Sequence, residues 1–423
     1  MAYQPRLIDD LLTDMLSGLP AIAVEGAKGV GKTASASRLA STVIDLDNPQ
    51  TREAINANPA LLTELKRPVF IDEWQLVPAT WDTVRRAVDR YPDGRGMFLL
   101  AGSSGVDSDA RIHSGAGRIV RFAMRPMTMQ ERGLEPASVS LSGLFAGDKD
   151  IAGASDMSMA DYVDEILASG FPGIRRLDTE FRGTALDSYL SRIVDSDIRE
   201  LGARVRKPAL LMAWLRAYGA ATSTTTDYSK LLNAATAGEP NKPARQTVDA
   251  YREHLTRLFL LDPLPPWIPT FSPLKRLTMS AKHHLVDPAL AARLAGVQKP
   301  GLLIGQGETV SQQTGSWLGA LFESLVTQSV RVYADTSGLR VGHLRTKSGE
   351  REIDLVIEGP NRRCLAIEVK LSPTPSDAEL SHLHWFRKHM GQQLVDAIVV
   401  TTGPHAYRRK DGIAIVPLSL LGP

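Results

Sequence analysis

The spacing of apolar and polar residues changes character several times along the chain. Over residues 1–135, short runs apolar on both faces alternate with helical stretches. Ala21-Ile22-Ala23-Val24-Glu25, Val43-Ile44-Asp45-Leu46, Val69-Phe70-Ile71-Asp72 and Met97-Phe98-Leu99-Leu100 read as strands, and a helix begins at Lys32 behind a glycine-rich segment. Doubly apolar strands separated by helices predict a parallel sheet covered on both faces. Residues 136–160, rich in Ser, Gly, Ala and Asp, read as a linker or inserted loop. From 161 to 265 the period is helical, with Leu186, Leu190, Ile193, Val194 and Leu201 on one stripe. Two consecutive helices are expected at 227–236 and 243–259, joined by Gly238-Glu239-Pro240.

Residues 266–310 read as a connector, opening in a proline-crowded stretch, and 311–423 as a mixed α/β domain. The latter predicts a helix over 317–330 and strands at 339–345, 353–358, 364–370 and 396–401. The expected class is α/β: a parallel sheet, a helical middle and a mixed C-terminal domain.

A chain of 423 residues exceeds one ordinary core, which agrees with several domains. The net charge of +2 decides nothing about nucleic acid, because clustering matters more than the total. No apolar run reaches the roughly 18 to 20 residues of a membrane helix, and Met1-Ala2-Tyr3-Gln4-Pro5-Arg6 lacks a secretion pattern. The one cysteine, Cys364, has no partner for an internal disulfide, so a cytoplasmic place is expected, with no membrane partner.

The most specific signal is Gly26-Ala27-Lys28-Gly29-Val30-Gly31-Lys32-Thr33, a full Gly-x-x-x-x-Gly-Lys-[Ser/Thr] match between a strand and a helix. Glycines let backbone N–H groups curl around phosphate oxygens. Lys32 reaches the β- and γ-phosphates, and the Thr33 hydroxyl is a magnesium ligand. The partner motif Val69-Phe70-Ile71-Asp72-Glu73 delivers Asp72 to the metal and Glu73 to an attacking water. Ser103 or Ser104, at the end of the next strand, is a candidate γ-phosphate sensor. Arg118 is a candidate to neutralise transition-state charge, in cis or from a neighbouring subunit, or else an ordinary surface arginine. ATP and Mg2+ are the expected cofactors.

Near the C-terminus, 353–358 and 364–370 read as a hairpin turned by Gly359-Pro360-Asn361. Alternation puts Ala366, Glu368 and Lys370 on one face, beside Asp354. Asp354 and Glu368 are hard oxygen ligands for magnesium, Lys370 can orient or deprotonate water, and Glu323 on the preceding helix can add a carboxylate. This Asp…Glu-x-Lys pattern resembles that of restriction-endonuclease-like nucleases. The alternative is an ion pair of Glu368 and Lys370 on a solvated sheet face. Arg345, Lys347, Arg351, Arg362 and Arg363, with Arg408, Arg409 and Lys410, supply positive charge for a phosphate backbone.

The helices expected at 227–259 resemble a winged-helix unit, offering Arg245, Gln246, Thr247 and Arg252 to DNA; a helical packing domain is the other reading. His283-His284 has no ligand partner at metal spacing and reads as structural or exposed.

Together these landmarks resemble a family of bacterial and archaeal AAA ATPases whose C-terminal half is a domain of unknown function. The resemblance extends to Asp45-Leu46-Asp47-Asn48-Pro49, Gly117-Arg118, Arg125-Pro126-Met127-Thr128, Gly170-Phe171-Pro172, Tyr189 to Ile198, Phe322-Glu323, Glu352-Ile353-Asp354 and Ile367-Glu368-Val369-Lys370. It implies an AAA-type ATPase, a winged-helix-like middle and a nuclease-like end. It does not imply a settled biological role. The Asp72/Glu73 and Asp354/Glu368/Lys370 sets lead to the expectation of an ATPase controlling a metal-dependent nuclease or nucleic-acid-binding domain on DNA or RNA; the winged-helix-like segment leads to the alternative, an ATP-gated binding switch that cuts nothing. A homo-oligomer is a further expectation.

Overall fold

The four expected N-terminal strands all form in the computed structural model of the chain, which describes residues 3–103, 115–198, 207–237, 245–267, 280–304, 312–346 and 349–423. The chain divides into two units, the first chiefly Met1–Pro126 with Arg252–Leu260, the second most of the remainder.

In the first unit, β1 (Ala21–Glu25), β2 (Thr42–Asp45), β3 (Val69–Asp72), β4 (Phe98–Gly102) and β5 (Ile119–Ala123) make one sheet in the order β2-β3-β4-β1-β5. Every pairing is parallel. β3 and β4 are buried throughout, as their apolar sequences require. The helix Ala79–Arg90 turns Thr80, Trp81, Val84, Ala87 and Val88 inward at three- and four-residue spacing. Trp81 packs on Trp74 with ring centroids 4.7 Å apart.

Register fixes which end of the sheet each functional residue occupies. Glu25 lies opposite Gly102 and Asp72 opposite Ala101. The segments after β1, β3 and β4 therefore leave the sheet at the same edge. Ile119 lies opposite Ala21, so the chain enters β5 at the other edge.

The second unit carries a seven-stranded mixed sheet in the order β7-β12-β13-β11-β10-β9-β8. It is built from β7 (Gly153–Ala154), β8 (Arg340–Arg345), β9 (Glu352–Glu358), β10 (Cys364–Lys370), β11 (Leu394–Thr401), β12 (His405–Arg408) and β13 (Ala414–Pro417). β9 and β10 form the expected antiparallel hairpin, and β10 runs parallel to β11. The helices Gln312–Thr336 and Ser381–Met390 pack on this sheet.

Residues 136–160 are not a linker. β6 (Val139–Ser140) pairs in parallel with β14 (Leu421–Gly422), β7 pairs with β12, and the helix Leu141–Ala146 lies between β6 and β7. Two-residue strands carry no readable period, and their small polar residues mimic a loop. Within the expected connector 266–310, the described segment 280–304 is likewise part of the core, and 268–279 and 305–310 lie outside the described residues. The helix Pro288–Leu294 buries Ala289, Leu290, Ala291 and Ala292, and Asp287 ahead of it accepts from Ser169 Oγ at 2.9 Å and Gly170 N at 2.6 Å.

Leu186, Leu190, Ile193 and Val194 are buried as the stripe predicted. Helices Tyr228–Ala235 and Arg245–Arg257 match the expected pair. Leu201 and the joint at 238–244 lie outside the described residues. No described helix is long and apolar enough to cross a membrane.

Candidate nucleotide site and carboxylate cluster

The glycine-rich loop leaves β1 and closes tightly. A side chain at Gly26 would place its Cβ 2.3 Å from the Met124 carbonyl oxygen, and Gly31 holds a left-handed φ of 107°. Lys32 is buried, and its ammonium donates to the carbonyls of Gly26 at 2.7 Å and Ala27 at 3.0 Å. Burial lowers its pKa to about 8, against the pull of Glu73 and Asp72. Ala27 and Val30 are buried; the Val30 carbonyl accepts from Arg6 Nη1 at 2.7 Å, while Arg6 Nη2 reaches the Arg125 carbonyl at 2.7 Å. This buried arginine braces the loop from behind. Gly29 and Lys28 complete the loop as the motif requires.

Asp72 ends β3 and is hydrogen-bonded to the Thr33 hydroxyl. Burial raises its carboxyl, and that hydroxyl pulls it back. A hydroxyl and a carboxylate in contact, beside the glycine-rich loop, are hard oxygen donors of the kind that would hold Mg2+. Glu73 follows in a left-handed conformation, φ 49°. Its Oε2 accepts from Ser103 Oγ at 2.9 Å and from Gln75 Nε2. Ser103 is buried; Ser104 lies outside the described residues.

Arg118 does not join this group. It precedes β5 at the opposite edge of the sheet, and its Nε binds Asp89 Oδ1 at 2.8 Å near the end of the helix Ala79–Arg90. Five parallel residues separate the edges, about 16 Å at ~3.3 Å each. The expectation of a role in cis is corrected on that ground.

The C-terminal carboxylates converge as the pattern foresaw, but not on a solvated face. Asp354 is 8% exposed and Glu368 3%. Asp354 Oδ2 accepts from Val369 N at 3.0 Å, and Lys370 Nζ lies 3.2 Å from Glu368 Oε2. A residue that sequence reasoning missed, Lys282, enters the cluster. Its ammonium lies 2.8 Å from Glu323 Oε1, 2.8 Å from Glu352 Oε1 and 2.9 Å from Asp354 Oδ1. An ammonium has three N–H groups, and three carboxylates surround this one.

Burying such a charge unpaired would cost several kcal/mol, so the carboxylates are what allow Lys282 to sit at 1% exposure. Burial alone would lower the pKa of Lys282, but Asp354, Glu323 and Glu352 outweigh it and raise it. Asp354 is held down at about 2: burial opposes ionisation, but Lys282, Lys370 and the Val369 N–H prevail. Burial pushes Glu323 up to about 8, and burial with the neighbouring Asp354 pushes Glu368 well above the carboxylate range.

The magnesium expected at Glu323, Asp354 and Glu368 does not fit this arrangement. An ammonium already takes oxygens of Glu323 and Asp354, and Glu368 is pushed toward its neutral form. Among the described residues no group of three His, Cys, Asp or Glu side chains is arranged to hold a metal ion.

Much of the expected basic surface is also spent internally. Arg408 binds both oxygens of Asp396 at 2.8 and 2.9 Å, Arg409 pairs with Asp411 and Asp377, and Arg345 lies 3.8 Å from Glu352. Arg363 and Lys410 remain exposed, and Lys347 lies outside the described residues. His283 and His284 are buried and bonded, to the Thr226 carbonyl and to Ser324 Oγ, which agrees with a structural role.

Residues 19–133 match the AAA domain family. Residues 159–301 and 318–421 match two domains of unknown function, DUF8612 and DUF4143. No curated protein matches the chain. Among solved structures, a Walker-type ATPase of Pyrococcus abyssi is similar at 15% identity over 69% of this chain and 96% of its own, with a TM-score of 0.42. The ORC2 protein of Aeropyrum pernix, in ADPNP and ADP complexes, is similar at 14% identity over 69% of this chain and 91% of its own, with a TM-score of 0.31. The motif, the five-stranded parallel sheet and the family match together make the N-terminal unit an AAA-type P-loop domain, the kind of domain that binds ATP.

Proposed function

We propose that the chain is an ATP-hydrolysing switch whose nucleotide state governs what its C-terminal domain engages, without cleavage by that domain. The observation that carries the ATPase half is the meeting of Lys32, Thr33, Asp72, Glu73 and Ser103 at one edge of the parallel sheet. The loop from Gly26 to Gly31 cradles phosphates through its N–H groups, and Lys32 exchanges its carbonyl partners for phosphate oxygens. Thr33 and Asp72 would hold Mg2+, which neutralises phosphate charge when bound. Glu73 orients the attacking water and accepts its proton. Phosphate release tests this: wild type should turn over ATP, and Lys32→Ala and Glu73→Gln should not.

The ammonium of Lys282 among Glu323, Glu352 and Asp354 weighs toward a non-cleaving C-terminal domain. Nucleic acid is the partner class most worth testing, through exposed Arg363 and Lys410, in an oligomer or alone. A second reading, ATP-controlled metal-dependent cleavage of DNA or RNA, draws support from Glu368 Oε1, which is buried without a partner beside Lys370. Labelled DNA and RNA, incubated with Mg2+ or Mn2+ and ATP, separate the two. Cleavage lost in Lys370→Ala would carry the second reading; binding without cleavage carries the first.

A further inference from the structure

Lys282 reaches the carboxylate cluster from a segment that is itself firmly held. Its N–H donates to the Leu264 carbonyl at 3.0 Å, and its carbonyl accepts from Leu264 N at 2.9 Å. The next residue is tied on both sides: His283 N donates to the Thr224 carbonyl, and the His283 carbonyl accepts from Ser223 N, each at 2.8 Å. Two residues along, His284 meets Ser324 on the helix that carries Glu323. The ammonium is therefore positioned by backbone, not delivered by a free side chain.

We infer that the Lys282 ammonium is the resident cation of this cluster, standing where a divalent metal would otherwise sit, so that the wild-type domain takes no Mg2+ or Mn2+ there. Glu323 and Asp354 each give Lys282 one oxygen in a hydrogen bond, and Glu352 gives it one in an ion contact. Magnesium demands about six oxygens at roughly 2.0–2.1 Å, and it reaches these carboxylates only if the ammonium leaves. Two positive centres sharing the same oxygens in a buried site repel strongly. Removing the ammonium reverses the situation, because Glu323, Glu352 and Asp354 then lose the cation they surround, and buried carboxylates that lose such a counter-charge take up another. This inference stands apart from the ATPase reading: it concerns metal affinity in the second unit and holds or fails whether or not ATP is hydrolysed.

The test is Mn2+ binding to the full chain without nucleotide, followed by electron paramagnetic resonance of free Mn2+ and by thermal melting. Asp72→Asn is present in every arm to silence the N-terminal ligand. With Lys282 intact, we expect no Mn2+ binding that depends on Asp354. Lys282→Met should gain one site, at least about tenfold tighter than any residual Mn2+ binding of the protein with Lys282 intact, with a melting temperature that rises on adding Mn2+. Adding Asp354→Asn to Lys282→Met should abolish both. Mn2+ bound with Lys282 intact and lost on Asp354→Asn would overturn the inference. So would a folded Lys282→Met that gains no site. Should Lys282→Met not fold, Lys282→Gln takes its place, and the comparison of intact Lys282 with and without Asp354→Asn still decides.

Discussion

Ser103 Oγ donates to Glu73 Oε2 at 2.9 Å, so the carboxylate expected to orient water is held by the residue that follows the neighbouring strand. Gln75 grips the same oxygen. Glu73 thus has a fixed rotamer at the edge of the nucleotide site, and Ser103 couples it to any group that competes for the serine hydroxyl. A γ-phosphate is such a group. Ser103→Ala should lower the hydrolysis rate by about tenfold while leaving ATP affinity near wild type, since it disturbs positioning and not the phosphate cradle. Single-turnover hydrolysis alongside equilibrium binding checks this; equal losses in both would remove Ser103 from the positioning role.

The ammonium of Lys32, lowered by burial to about 8, makes ATP affinity pH-dependent. Below that value Lys32 is charged before nucleotide arrives. Above it a proton must be taken up on binding, because the phosphates favour the charged form. Affinity should therefore weaken as pH rises from about 8 toward the ordinary lysine value of 10.5. Calorimetry in buffers of different ionisation heat should register proton uptake at pH 9 and little at pH 7. The contribution to folding runs the other way: the penalty for burying the charge is full below about 8 and fades as pH rises to 10.5, so stability rises over that range.

Arg118 sits at the sheet edge opposite the phosphate loop, paired with Asp89 on the surface. Arg118→Ala should cost less than about 1 kcal/mol of stability and leave hydrolysis unchanged at protein concentrations where the chain is monomeric. A rate defect that appears only at concentrations where chains associate would assign Arg118 to a neighbour's site. A defect in the monomer would contradict its placement.

In the second unit, Glu165 bridges Arg132 at 2.9 Å and Arg175 at 2.7 Å, and the Arg132 side chain is wholly buried. Glu165→Ala strands that guanidinium and should cost about 3–5 kcal/mol, measurable by denaturant unfolding. Burial would raise the Glu165 carboxyl, but the two arginines outweigh it and its pKa is lowered from 4.5. Its stabilisation is therefore present above pH 4.5 and lost as pH falls through the lower folded value. Glu165→Gln should show a shallower acid transition than wild type.

What was legible in the sequence follows from how local each feature is. The phosphate loop is one contiguous segment, and β3 and β4 are apolar on both faces, so sequence alone could bring Lys32, Thr33, Asp72, Glu73 and Ser103 or Ser104 to one edge of the sheet. Adjacent strands of a hairpin likewise brought Asp354 beside Glu368. The ion cluster could not be read that way, because Lys282 is 41 residues from Glu323 and 72 from Asp354. The one clue was a lysine set between apolar and histidine neighbours, Ala281-Lys282-His283-His284-Leu285, in a stretch assigned to a connector. Whether Arg118 could act in cis was not legible, because a motif carries no information about sheet edge; register does. The two-residue strands at 139–140 and 153–154 leave no period to detect.

Hydrolysis of ATP by the N-terminal site is tested most directly by phosphate release from the purified 423-residue chain. Wild type with Mg2+ should release phosphate catalytically. Lys32→Ala should lose both ATP binding and turnover, and Glu73→Gln should keep binding while losing turnover by about a hundredfold or more. ATP turnover that survives in both variants, or a wild type that neither binds nor hydrolyses ATP, would contradict the account.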